Sequence, residues 1–490
     1  MRAIQPNELK TLKQYARQAM LQRGLLADFS AAVKQQLSEI RKPASDPSDQ
    51  IRDLRDLLWA SIDNDDSRDL DQLTTAVSLP DDKIKVMVAV ADVDAIVKDG
   101  SAIDLHARHN TSTVYTAVTL FPMLPELLST DLTSLNDGQD RLAMIVEMTI
   151  NKQGALTDGQ IFRATVRNHA KLAYNSMASW LDEQAPMPDN LAAVSGLPEN
   201  IQLQDLAAGR MKNFRHLHGA LSLTTIQAVP VFDGTTLINL DFEQDNRAKD
   251  LIEDFMIVAN GVTARFLSSR NLPVIRRVVR TPKRWGRIVE LAAEFGGHLP
   301  QEPDPRALEI FLQRQKQADP LRFPDLSLSI VKLIGAGEYC AECPQVDSPG
   351  HFGLAVNDYT HSTAPNRRYP DLITQRLVKA ALMDSEQPYT LDQLQELAEH
   401  FTRMENEVNK VERQVNKSVA AMLFKDRIGN TFEALVTGAS EKGTWVRLIQ
   451  HPIEGKLVSG QNKLDVGDRI KVKLKKVNVS KGFIDFVRVS

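Results

Sequence analysis

Cysteine is almost missing from this 490-residue chain: Cys340 and Cys343 are the only two, too few for a disulfide framework and in keeping with a reducing compartment. Long apolar runs are missing as well. No segment approaches the roughly 18 to 20 apolar residues that a membrane span needs, and the first twenty residues lack the apolar core of a secretory signal, so the expectation is a cytoplasmic protein with no membrane association. Nor does charge of one sign prevail. Fifty-nine Lys and Arg against 63 Asp and Glu leave a net charge of −4, which on its own does not advertise a nucleic-acid partner. There is no internal repeat and no low-complexity tract. What is present, 42% hydrophobic and 25% charged residues, is the balance of a soluble globular protein and excludes a mostly disordered, collagen-like or fibrous chain.

The length implies two to four units. From Leu9 to Ile40 apolar residues recur at mostly helical spacing, and the Pro- and Asp-rich stretch Lys42 to Asp49 ends the pattern, so residues 1–50 are expected to form a small helical segment with a linker. Strand-like text follows at Lys83 to Val90 and Leu142 to Ile150. Helical patterns then interleave, over Asn168 to Trp180, Ala248 to Ser268, Arg284 to Phe295, Pro305 to Lys316, Arg367 to Leu382 and Leu391 to Asp426. Residues 51–427 therefore read as one large mixed α/β domain. From Gly429 onward eleven Lys and Arg face six Asp and Glu, a local +5 inside an acidic chain. Five short strand-like runs separated by Gly and Asp turns make residues 428–490 a five-stranded OB-fold barrel, basic enough to hold a single nucleic-acid strand. The fold class is thus multidomain α+β.

The densest chemistry lies in Asp63-Asn64-Asp65-Asp66-Ser67-Arg68-Asp69-Leu70-Asp71-Gln72, with five carboxylates in nine residues. Crowded like charges repel, and a bound cation relieves them; all-oxygen ligation suits magnesium, or manganese. An exposed acidic turn is the bland alternative. A calcium loop of the EF-hand type fails, because the turn glycine is missing and its twelfth position is Thr74 rather than Glu.

The spacing of Asp63, Asp69 and Asp71 after Ile62 resembles the acidic signature of the RNase II / RNase R family of 3′-to-5′ exoribonucleases. Further segments resemble that family in order: Val88-Ala89-Val90-Ala91-Asp92, Tyr115 followed by Pro122-Met123-Leu124-Pro125, Leu251 to Asn260, Gly350-His351-Phe352-Gly353, and His361-Ser362-Thr363-Ala364-Pro365-Asn366-Arg367-Arg368-Tyr369. The terminal barrel resembles the family's RNA-binding domain of the ribosomal-protein type. Members commonly carry two cold-shock domains at the N-terminus, and the fifty residues here are read as a short form without them.

The resemblance implies a hydrolytic, processive 3′-to-5′ exoribonuclease that releases nucleoside 5′-monophosphates from single-stranded RNA, acting as a monomer with no obligate protein partner. Asp63, Asp69, Asp71 and Gln72 would hold magnesium, and Asp71, Asp69 and Arg367 would serve the chemistry, with Asp71 first among them. Arg367 would meet the scissile phosphate, to which a guanidinium is suited by its planar fork and permanent charge. Tyr115 would stack on the terminal base and Glu412 would lie near the RNA end. In the barrel, Phe432 and Trp445 are candidate RNA contacts. Seven basic residues between Arg270 and Arg287, Arg276 and Arg280 among them, would line a path for the phosphate backbone, or else form a solvated basic face.

Gln72 stands where the family has a fourth aspartate. A carboxamide oxygen can ligate a cation but brings no charge and cannot act as a base. Asp65 or Asp66 then compensates, or metal is held more weakly, or the chain binds RNA without cutting it; retained activity is the expectation. A metal-dependent DNA nuclease is the less favoured alternative. Cys340, Cys343, His351 and His361 could also be drawn together as a zinc set, although both histidines already fall within the motifs above.

Overall fold

The structure, a computed structural model, describes residues 4–48, 50–224, 228–234, 236–242, 245–320, 322–343, 349–440, 443–464 and 467–489. Its centre is a seven-stranded mixed sheet whose spatial order is Arg52–Asp53, Leu156–Arg167, Asp140–Ile150, Ile84–Ala91, Gln72–Ser78, Ala60–Asp63 and Ala170–Ala173. Strands Ile84–Ala91 and Asp140–Ile150 sit in the middle and are buried along nearly their whole length. That explains their solid apolar runs, since a strand covered on both faces has no polar side to show. Helices Leu197–Leu217 and Arg247–Ser269 pack on this sheet. Strand Ala60–Asp63 lies antiparallel to Gln72–Ser78 and parallel to Ala170–Ala173. The short acidic loop joining the first two therefore emerges at one end of the sheet, and this connection places the site.

Local signals explain most of the helices. Arg247–Ser269 is capped by Asn246, whose side chain accepts from the Lys249 amide, and the 34-residue helix Leu391–Phe424 opens on a Thr390/Gln393 capping box. The N-terminal pattern resolves into two helices, Pro6–Gln22 and Ala31–Glu39. Gly24 breaks the run at φ 74°, and Ser30 caps the second helix. Where one helix was expected from Asn168, the chain forms the edge strand Ala170–Ala173 before helix Tyr174–Leu181 begins.

Three helices, Trp285–Glu294, Pro305–Ala318 and Phe323–Ile334, build a separate small core around Ile288, Leu308, Leu312 and Ile330. The C-terminal strands Thr431–Ser440, Gly443–Leu448, Glu454–Ser459, Arg469–Asn478 and Phe483–Val489 close into the expected barrel. Its interior is continuous with the rest of the molecule. Leu12, Ala16 and Met20 of the first helix, Val411, Val415 and Val419 of the long helix, and Val436, Val446 and Phe486 of the barrel belong to one apolar cluster. An ion pair between Lys425 and Glu8 lies on its edge. Among the described residues no helix is long and apolar enough to cross a membrane.

Candidate active site

The loop from Asn64 to Asp71 is fastened at several points. Ser134 accepts from the Leu70 amide at 2.9 Å and donates to the Arg68 carbonyl at 3.1 Å, while Lys171 reaches the Ser67 carbonyl. Asp71 is thereby driven inward and is 2% exposed. One of its carboxylate oxygens accepts the Asn366 backbone amide at 2.9 Å and the other accepts Arg367 Nε at 3.0 Å. Asn366 is itself fully buried, its side-chain oxygen accepting from Thr133 at 2.5 Å.

Arg367 and Arg368 follow in sequence but take different roles. The Arg368 guanidinium is paired with buried Asp371 at 2.7 Å, and that carboxylate also accepts the Ala364 amide, so Arg368 braces the loop. Arg367 keeps about two-fifths of its side chain exposed, facing a cavity lined also by Thr113, Tyr115, Asn409 and Glu412. The segment carrying Tyr115 is aligned beside this loop by the Thr113 amide donating to the Arg367 carbonyl and the Tyr369 amide donating to the Thr111 carbonyl. Thr111 adopts φ 65° there, a costly conformation for a β-branched residue that the surrounding bonds hold in place. The Tyr115 hydroxyl donates to Asp69 at 3.0 Å, and its backbone amide donates to Glu412 at 2.8 Å. Tyr115 as a residue is 45% exposed beside the acids.

Electrostatics separate these carboxylates. Burial pushes the Asp71 carboxyl up to about 7; the Arg367 guanidinium opposes this and the neighbouring Asp69 charge adds to it. Asp63, which accepts the Asn64 amide and the Ser67 hydroxyl, is likewise raised, by burial first and with Asp69 contributing. Glu412 is raised by burial, which the Tyr115 amide partly offsets. Gln72, half-buried, starts the strand that follows and pairs in register with Val90.

Asp63, Asp69, Asp71, Tyr115, Arg367 and Glu412 thus come together at one end of the sheet, and Gln72 follows Asp71 in the chain as the first residue of the next strand. Other expected residues do not join them. Arg276 is 3% exposed, its guanidinium enclosed by Glu342, Asp358 and Ser268. It is a buried structural ion-pair residue and not part of a phosphate path. Arg280 is exposed but paired with Glu338 at 2.5 Å. Phe432 tilts against Phe424 at a ring separation of 5.6 Å and joins the apolar core beneath the barrel. Trp445 is half-buried, with the Lys456 ammonium 5.7 Å from its ring. His361 bonds the Tyr339 hydroxyl, His351 accepts the Leu354 amide, and both cysteines are free thiols, so these four are not assembled as a ligand set. Asn366 and Thr133 were not anticipated. Asn366 does lie inside the Pro-Asn-Arg-Arg motif, but its part is played by a backbone amide.

A divalent cation suits this donor set in kind. Asp63, Asp69, Asp71 and the Gln72 amide offer only oxygens of the type magnesium takes, and two of the acids are held above their ordinary range, an imbalance a cation relieves. Among the described residues, no three His, Cys, Asp or Glu side chains are already gathered about one point; Asp71 spends its oxygens on Asn366 and Arg367 instead.

The RNB domain family matches residues 51–384, and the RNase II-type exonuclease C-terminal S1 domain matches residues 430–489. Ribonuclease R of Escherichia coli is 29% identical over 499 residues, covering 94% of this chain and 60% of the relative. For Ribonuclease R of Thermotoga maritima the identity is 27%, covering 89% and 65%. The chain thus spans about three-fifths of the length of these relatives. Among solved structures, Mycoplasma genitalium RNase R in complex with ribose methylated single-stranded RNA superimposes with a TM-score of 0.87 at 22% identity, covering 98% of this chain and 78% of that one. Yeast Ssd1, described as a pseudonuclease, superimposes with a TM-score of 0.72 at 17% identity, covering 96% and 57%. With the RNB match extending over more than half the chain, and the acidic loop, the Asn-Arg-Arg loop and the closing barrel in the expected order, this protein belongs to the RNB family of RNase II and RNase R type.

Proposed function

We propose that the protein is a magnesium-dependent 3′-to-5′ exoribonuclease that hydrolyses single-stranded RNA to nucleoside 5′-monophosphates. The observation that carries this reading is the buried Asp71 carboxylate, held between the Asn366 amide and the Arg367 guanidinium at the edge of a cavity bounded by Tyr115. Arg367 spends Nε on Asp71, which leaves its terminal nitrogens for the phosphate oxygens, where a planar fork both orients the group and stabilises developing charge. The Tyr115 side chain would hold the last base by stacking. Its hydroxyl contact to Asp69 couples that base to the acidic loop, and Glu412 acts as a positioning residue through the Tyr115 amide. Magnesium, held by Asp63, Asp69, Asp71 and Gln72, would supply charge neutralisation at the phosphate and activation of water.

The test is a time course of 5′-labelled RNA with magnesium, with chelator, and with the same sequence as DNA. Magnesium-dependent shortening of RNA to a small limit product, with DNA spared, supports the reading. Gln72 favours a second one, an RNA-binding protein that does not cut, and the fold shared with a pseudonuclease accommodates it. Intact RNA that shifts on a native gel would select that alternative, and Gln72→Asp would then be expected to confer cleavage.

A further inference from the structure

Two chain segments deliver Tyr115 and Arg367 to the candidate active site, and each is continuous with a short helix. Helix Ala102–Asn110 runs through Thr111 to Tyr115. The Asn366-Arg367-Arg368 loop runs directly into helix Tyr369–Leu382, which is buried at every residue from Tyr369 to Ala381. The two helices meet through polar side chains that water does not reach. Asp104 and Tyr369 are each 1% exposed and Arg376 is 5% exposed.

Tyr369 is held at both ends by helix Ala102–Asn110. Its backbone amide donates to the Thr111 carbonyl, just past the helix end, at 2.8 Å. Its hydroxyl donates to Asp104 Oδ1, in the first turn, at 3.0 Å and accepts from Arg376 Nη1 at 3.4 Å. The side chain therefore braces about two turns of helix. Asp104 is not free to follow a displaced hydroxyl. The same oxygen accepts Arg376 Nη2 at 2.7 Å, and Oδ2 accepts the Gly100 amide at 2.9 Å. Arg376 in turn has all five of its N–H donors engaged, on Asp94, Asp99, the Tyr389 hydroxyl, the Val97 carbonyl and Asp104. One turn further along the same helix, Lys379 pairs with Asp92 at 2.7 Å and with Asp94 at 2.9 Å. Asp92 directly follows the central strand Ile84–Ala91, so the network is anchored on the sheet.

Replacing a buried charge network by apolar residues is often neutral or stabilising, so its presence here calls for a reason other than stability. We propose that Tyr369 is a positioning residue for the RNA 3′ end. Tied to Thr111 and Asp104, it fixes the separation between the Tyr115 side chain and the Arg367 guanidinium, so that a base stacked on the first sets the phosphate of the same nucleotide on the second. The inference rests on the RNA-degrading function proposed above. The chain path carries it. Tyr369 lies two residues from Arg367, and the Thr113 amide, two residues from Tyr115, donates to the Arg367 carbonyl at 3.0 Å. A slip between the two helices passes directly into the separation of the two functional side chains, and a misplacement of about 1 Å at a reacting centre costs up to roughly 100-fold.

The test compares the affinity for a 4-mer RNA with that for the same 4-mer carrying an abasic 3′ nucleotide, measured on the full chain with chelator present. In the wild type the missing base should weaken binding about fivefold or more, the worth of one stacked base. Tyr369→Phe removes the hydroxyl bridge and leaves Asp104 paired with Arg376; it should lower that ratio at least threefold. Tyr389→Phe is the control. It removes a buried hydroxyl from the same network, bonded to Arg376 and Asp99 at 2.9 Å each, without touching the bridge, and should keep the ratio within twofold of wild type. Loss of folded protein lowers both affinities together and leaves the ratio unmoved, so a merely structural role for Tyr369 would not change it. A ratio of five or more in the wild type that falls less than threefold in Tyr369→Phe, or falls equally in both variants, overturns the positioning role and leaves the exoribonuclease reading intact. A wild-type ratio near one, or a wild type that binds no RNA, removes the stacking on Tyr115 and this proposal with it.

Discussion

Replacing Asp71 with Asn should make the protein more stable while it stops cutting RNA, by an amount that depends on pH. A carboxyl raised from 3.8 to about 7 on folding binds its proton more tightly in the folded state, so its favourable contribution is complete below pH 3.8 and is lost as the pH rises through 7. At about 1.36 kcal/mol per unit, the ionised group costs the wild type about 4 kcal/mol at pH 8 and about 1 kcal/mol at pH 4.5. Asn carries no charge and escapes this cost. It can still accept the Asn366 amide, but its NH2 would meet Arg367 Nε donor to donor, forfeiting about 1–2 kcal/mol; water can take over there because Arg367 is partly exposed. Asp71→Asn should therefore exceed the wild type by about 2–3 kcal/mol at pH 8, and the difference should shrink by about 3 kcal/mol on going to pH 4.5. Urea unfolding of both proteins at the two pH values, with chelator, measures this directly. A difference that does not change with pH, or a variant less stable than wild type at pH 8, refutes the burial argument. Magnesium at pH 8 should stabilise the wild type more than the variant, since only the former recovers the cost of its charge.

Arg367→Lys keeps the charge but loses the fork, and should lower kcat/KM on RNA about 10- to 100-fold, the range of one charge-assisted bond, while Arg368→Lys should act mainly by lowering thermal stability through the lost Asp371 pairing. Tyr115→Ala should weaken binding of a 4-mer by about 1–3 kcal/mol, the value of one stacked base; Tyr115→Phe keeps the ring and should recover most of that affinity, and equal losses in the two variants would argue against stacking. His106 is buried against Phe29 and held at about 4, chiefly by burial with the neighbouring His109 adding to it, so the folded state resists its protonation. The stability it contributes is present above pH 6.5 and falls as the pH drops toward 4, by up to about 3 kcal/mol. In His106→Phe the acid limb of a pH–stability curve should be shallower by that amount, and an unchanged limb would sink the assignment.

The elements legible in the sequence are those whose signal is local. Helix Leu391–Phe424 announces itself by its cap and its apolar stripe, and the barrel strands by alternation between Gly and Asp turns. Helix Leu197–Leu217 was not anticipated because its inward face includes Gln204, bonded to Thr74 of the sheet, and the small Ala207 and Ala208, which dilutes the apolar period. Ala170–Ala173 has helix-favouring composition, yet pairing beside Ala60–Asp63 decides its form, a contact made a hundred residues away in the chain. The acidic loop could be read because crowded carboxylates require an explanation. The partners of Asp71 could not, since a backbone amide leaves no mark in a sequence. Arg276 misled for a related reason: a run of arginines does not reveal which ones distant acids have already neutralised, here Glu342 and Asp358.

The apolar cluster shared by the first helix, the long helix and the barrel has a consequence for modularity. The barrel looks like a detachable unit by its closed strand topology, but the long helix, about 51 Å from end to end, gives its last turns to the barrel and an earlier stretch to the active-site cavity. Excising residues 429–490 would uncover the part of the long helix that packs on strands Arg469–Asn478 and Phe483–Val489 and divide an apolar cluster that the helix and the barrel share, so the remainder would expose a greasy seam and tend to self-associate. Grip and cut are accordingly not exchangeable parts. Force applied to the barrel by a moving strand would travel along a single rigid rod to Glu412, and from there to the backbone of Tyr115.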